Sequence, residues 1–179
     1  MTSPESISGP LREMAAAFES CVLWAVRTIM EADVKIKAPF EVVSIVPTGS
    51  SLYCILPTGS IKYHGQLVVG IVEEDIEQLF PGEMDPRVRK DAIGEIANVI
   101  SGTFVADDKF IANFGYLRPS TPFFSEGAFT DRKDWGLVGR VEANGKEIMI
   151  QFSMRVLEGN ASAAPKSSGG NLKLEGGPD

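Results

Sequence analysis

The chain has 179 residues, enough for one domain with a buried core. Its 44% hydrophobic and 23% charged content is that of a globular protein, and its formal charge of −7 argues against a nucleic-acid binder or attraction to an anionic membrane. The two cysteines, Cys21 and Cys54, lie far apart among apolar neighbours, which excludes a disulfide framework or zinc cluster and reads as buried reduced thiols.

Residues 1–9 are Ser/Pro-rich, without the basic start and apolar stretch of a secretion signal, so a flexible N-terminus and a cytoplasmic location are expected. Pro10 suits a first helical turn. Leu11, Met14, Ala15, Phe18, Val22, Ala25 and Ile29 then recur at helical spacing, predicting one long amphipathic helix over residues 10–31, with Trp24 and Val26 off its stripe.

Three β-rich stretches follow, at residues 42–46, 52–56 and 61–72. They are separated by two Pro-Thr-Gly-Ser breaks, at 47–50 and 57–60, and read as an antiparallel meander. A short helix is expected over 73–80. Asp85 and Pro86 then form a cap and first-turn pair for the longest helix, running to about Val105. Residues 110–117 read as a strand and 118–127 as a loop. Residues 137–143 and 147–157 read as two strands joined by Asn144-Gly145, a strong hairpin signal. The Gly/Ser/Ala/Lys-rich residues 159–179 read as a disordered tail. One α+β domain over residues 10–158 is therefore predicted, with an antiparallel sheet and long helices on one face.

A wheel of residues 85–105 puts Ile93, Ile96, Ala97, Ile100 and Phe104 on one face and Asp91, Glu95, Asn98 and Gly102 on the other. Glu95 and Asn98 are neighbours one turn apart, both directed to solvent. Most such pairs are simply a solvated face. Here, though, the helix tolerates an Asn, which competes for backbone hydrogen bonds, and Gly94 and Gly102, each costing roughly 1 kcal/mol relative to Ala.

The run from Asp91 to Gly102, Asp-Ala-Ile-Gly-Glu-Ile-Ala-Asn-Val-Ile-Ser-Gly, resembles the signature helix of the CheC/CheX/FliY chemotaxis phosphatases, which carries Glu-x-x-Asn, apolar spacers and a following Gly. Residues 63–73 and the Ser120-Thr121-Pro122 segment are similar to flanking parts of that family, as is the order of elements over residues 10–157. CheC-like members carry a second Glu-x-x-Asn on the first helix. Here Glu19 is followed three residues later by Val22, so the chain resembles the single-motif CheX type.

The resemblance implies a CheC-like α+β fold and a homodimer formed through the sheets. It also implies a phosphatase acting on the aspartyl phosphate of a CheY-like receiver domain. Asn98 would orient the attacking water and Glu95 would contact the receiver's lysine; Asp91 and Gly102 would flank the contact. No cofactor is expected on this chain, since Mg²⁺ belongs to the receiver. Two alternatives stand beside this. One is a non-catalytic receiver-binding or flagellar-switch-like module of the same fold; the other is an unrelated α+β dimer with an accidental Glu-x-x-Asn. His64, the one histidine, reads as a structural strand residue. The clusters Glu73-Glu74-Asp75 and Asp107-Asp108 read as helix starts or exposed loops, and Phe123-Phe124 as packed beneath its loop.

Overall fold

The computed structural model describes residues 5–44, 50–83, 85–126 and 135–157. The first helical region is α1, Glu5–Glu13, and α2, Ala15–Met30, separated at Met14. This corrects two expectations. The helix begins five residues before Pro10, because Ile7 and Ser8 are buried and anchor it, and it is broken once at the buried Met14 (φ −99°, ψ 1°). Residues 1–4 lie outside the described part. Helix α2 ends at Glu31 in the left-handed region (φ 49°).

Strand β1 is Val34–Val43, β2 Leu52–Gly59 and β3 Tyr63–Ile71. A 3-10 turn at Glu73–Asp75 leads into the short helix α3, Ile76–Leu79. The long helix α4 is Pro86–Val105, and α5 is Asp108–Phe114. Then come β4, Arg118–Pro119; β5, Phe123–Glu126; β6, Trp135–Ala143; and β7, Lys146–Val156.

Four local expectations are revised. The first β-rich stretch starts at Val34, and its last two residues lie outside the described part, as do residues 47–49 of the first break. The second Pro-Thr-Gly-Ser motif does not end β2. Pro57, Thr58 and Gly59 pair with Gln66, Gly65 and His64, so the turn is displaced to residues 60–62. The strand expected over 110–117 is mostly helix, because Asp107 caps it through Lys109 and Phe110 amides while Phe110 and Phe114 bury one turn apart. The loop at 118–127 contains β4 and β5, both paired with β2. The tail, residues 159–179, lies outside the described part.

The strands form a seven-stranded sheet, β1-β6-β7-β3-β2-β4, with β5 also on β2, and every pairing is antiparallel. The β6–β7 hairpin turns at Asn144-Gly145, both at positive φ (50° and 74°), as the sequence motif requires. The Asn144 amide also donates to the Leu79 carbonyl at 2.9 Å, tying the hairpin to α3. The helices pack on one face. Their core joins Leu11, Phe18, Val22 and Val26 to Ile93, Ile100, Leu67, Ile150 and Phe152, while a smaller cluster of Tyr53, Ile55, Val68 and Met149 occupies alternate strand positions. No helix among the described residues is long and apolar enough to cross a membrane.

Candidate functional site

Helix α4 is fixed at both ends. At its start, Asp85 Oδ1 accepts the Arg87 amide at 2.8 Å and Pro86 fills the first position. One turn on, the buried Arg89 donates from Nε to the Glu83 carbonyl at 2.7 Å and from Nη1 to Glu77 at 3.2 Å, drawing the preceding loop against the helix. Near its end, the fully buried Phe104 ring sits 4.8 Å from Phe18, 5.1 Å from Phe110 and 5.1 Å from Phe152, all edge-on. Ile93, Ile96, Ala97 and Ile100 bury between these anchors. The apolar face thus packs as the wheel predicts.

The opposite face presents Asp91, Glu95, Asn98 and Gly102, all exposed. Neither Glu95 nor Asn98 makes a hydrogen bond or ion pair within the described residues. The helix geometry sets their Cβ atoms about 5–6 Å apart, so a carboxylate and a carboxamide can reach one external group together. Asp91 and Glu95, four residues apart, are like charges on one face, unfavourable by about 0.2–0.5 kcal/mol. A Cβ added at Gly102 meets no atom within 4 Å among the described residues, so this glycine leaves a bare strip on the helix.

The flank of this face was not visible in the sequence. Strands β4 and β5 and the link between them run beside α4. Pro122 lies over the buried Gly94, where an added Cβ would be 3.8 Å from the Pro122 ring. Lys90 reaches Glu126 at 3.8 Å and sits 5.8 Å over the Phe124 ring. Phe124 is half-buried there, but Phe123 is half-exposed, contrary to the expectation that both pack beneath the loop.

The other polar clusters have structural uses. Asp75 Oδ1 receives Lys146 Nζ at 2.7 Å, Asp107 caps α5, and His64 is half-buried on β3. Among the described residues no group of three His, Cys, Asp or Glu side chains could hold a metal ion. Burial pushes the Cys54 thiol up to about 11, and burial and then the Asp107 charge also raise the half-buried Cys21.

No protein-family model matches the chain, and no curated protein matches it in sequence. Solved structures do match it. The chemotaxis protein CheX from Desulfovibrio desulfuricans superposes with a TM-score of 0.59 at 17% identity, over 80% of this chain and 99% of that one. A chain of the CheX–CheY–BeF3–Mg²⁺ complex from Borrelia burgdorferi gives 0.55 at 15% identity, over 78% and 96%. A chain of the FliM–SpeE complex from H. pylori gives 0.57 at 10% identity, over 86% and 89%. The chain therefore has the CheC-like α+β fold found in CheX and other chemotaxis proteins.

Proposed function

We propose that this protein is a cytoplasmic phosphatase that hydrolyses the aspartyl phosphate of a CheY-like receiver domain by presenting Glu95 and Asn98 to its phosphorylated pocket. The observation that carries the reading is the outer face of α4: two exposed side chains one turn apart, without a partner among the described residues, on a helix clamped at both ends. An acyl phosphate is already reactive, and the receiver supplies Mg²⁺ and a lysine. The helper therefore needs only to place water and hold the geometry, which is most of what phosphoryl-transfer catalysis demands.

Asn98 orients the attacking water in line with the breaking P–O bond. A carboxamide both donates and accepts, and it carries no charge to repel the phosphoryl oxygens, whereas an Asp there would. Glu95 pairs with the receiver's lysine ammonium, for which a carboxylate is the matched partner. Asp91 and Gly102 flank the contact, the first adding negative potential towards that lysine and the second allowing close backbone approach. In the same proposal two copies of the chain associate through their sheets, which sedimentation at micromolar concentration tests.

The experiment is phosphate release from a phosphorylated CheY-like receiver of the same organism, with and without this protein. Acceleration supports the reading, and Glu95→Ala weakens both docking and rate. Binding without acceleration points instead to a non-catalytic receiver-binding or switch-like module.

A further inference from the structure

A second exposed surface lies beyond the site helix, where the β2–β3 turn meets the link from α5 to β4. The turn is tightly tied. The Ser60 amide donates to the Tyr63 carbonyl at 2.8 Å, and Ser60 Oγ accepts the Lys62 and Tyr63 amides at 3.3 and 3.1 Å. The Leu157 amide donates to the Lys62 carbonyl at 2.8 Å. Ile61 is held at the tip, 100% exposed. An isoleucine displayed in full on a rigid turn contributes nothing to the core.

Across the groove stands Tyr116, 78% exposed, while Phe114 forms a floor packed edge-on against Tyr63 at 5.5 Å. Lys62 and Arg118 complete a cleft of ≈ 620 Å³ whose lining, among the described residues, includes no acidic residue, in a chain of net charge −7. Lys62 also lies 5.0 Å over the Tyr63 ring, which holds its ammonium beside the cleft. Neither Lys62 nor Arg118 has an ion-pair partner among the described residues. Arg118 belongs to β4, which contacts α4 and continues through Pro122 to the flank of the site.

We infer that this cationic, aromatic groove is the second contact for the receiver domain, taking an acidic surface segment that carries one apolar side chain. The inference rests on the phosphatase reading. A phosphorylated receiver pocket is anionic, this chain is acidic, and the docking face itself carries Asp91 and Glu95. Their mutual repulsion slows encounter unless cations lie nearby on the approach surface. Lys62 and Arg118 supply them, and Ile61 and Tyr116 give the encounter an apolar anchor. The groove holds the partner and touches no reacting atom, so it acts on association alone.

The test is steady-state dephosphorylation of the phosphorylated receiver by wild type, the Lys62→Glu/Arg118→Glu double variant and Ile61→Ser. KM rises about tenfold in the double variant and about threefold in Ile61→Ser, with kcat unchanged in both. Wild-type KM rises as salt increases from about 50 to about 300 mM, and that of the double variant does not. Unchanged KM in both variants overturns the inference while leaving the phosphatase reading intact. Should wild type give no acceleration, the phosphatase reading fails, and calorimetry with the beryllofluoride-charged receiver decides the groove. Weaker binding by the variants supports it, and equal affinities or no binding overturn it. Ile61→Ser keeps the test sound if the double variant melts early, since that side chain is wholly outside the core.

Discussion

Replacing Gly102 by Ala separates what the fold needs from what the proposed partner needs. The position lies inside α4, where glycine costs roughly 1 kcal/mol relative to alanine through lost backbone entropy. The new Cβ meets no atom within 4 Å among the described residues, so no steric cost from them opposes that gain. Gly102→Ala is therefore expected to stabilise by about 1 kcal/mol, a rise of about 2–4 °C in Tm for a chain of this length. The same methyl stands one turn beyond Asn98 on the docking face and keeps a partner's backbone from closing on the helix. Receiver dephosphorylation is expected to show a KM raised several-fold. Thermal melting by circular dichroism and the kinetic assay on one preparation give both values. A lowered Tm would refute the open geometry around residue 102, and a raised Tm with unchanged kinetics would refute the idea that the glycine serves close approach.

Phe104→Ala removes a ring that touches α2, α5 and β7 at once and is expected to cost about 3–5 kcal/mol, read by urea denaturation. Cys54 has its thiol raised from 9.0 to about 11 by burial, so the unfolded chain ionises first as pH rises. Its contribution to stability is complete below pH 9 and is lost between about 9 and 11. Urea midpoints should fall over that window more steeply for wild type than for Cys54→Ala, and equal slopes would contradict it.

The site helix was legible because its signals are local. Asp85-Pro86 marks its start, and the period of Ile93, Ile96, Ala97, Ile100 and Phe104 fixes which face is buried, so the exposure of Glu95 and Asn98 follows. The Asn144-Gly145 hairpin was legible for the same reason. Where tertiary burial decides, the sequence misleads. Gly9 and Pro10 look like a boundary, yet Ile7 and Ser8 are buried and the helix starts at Glu5. Pro57 and Gly59 look like a turn, yet β3 on one side and β4 on the other hold them extended. At residues 108–114 a helix forms on an Asp cap with Phe110 and Phe114 one turn apart, where residues 110–117 read as a strand. The flank formed by Pro122 on Gly94 and the groove at Ile61 and Arg118 join segments distant in the chain, which no local pattern encodes.

The most direct test is the rate of phosphate loss from a fully phosphorylated receiver at saturating protein, comparing wild type with Asn98→Ala. The account predicts that wild type accelerates hydrolysis while Asn98→Ala binds the receiver with similar affinity and leaves its rate close to the spontaneous one. Near-normal acceleration by Asn98→Ala would contradict it.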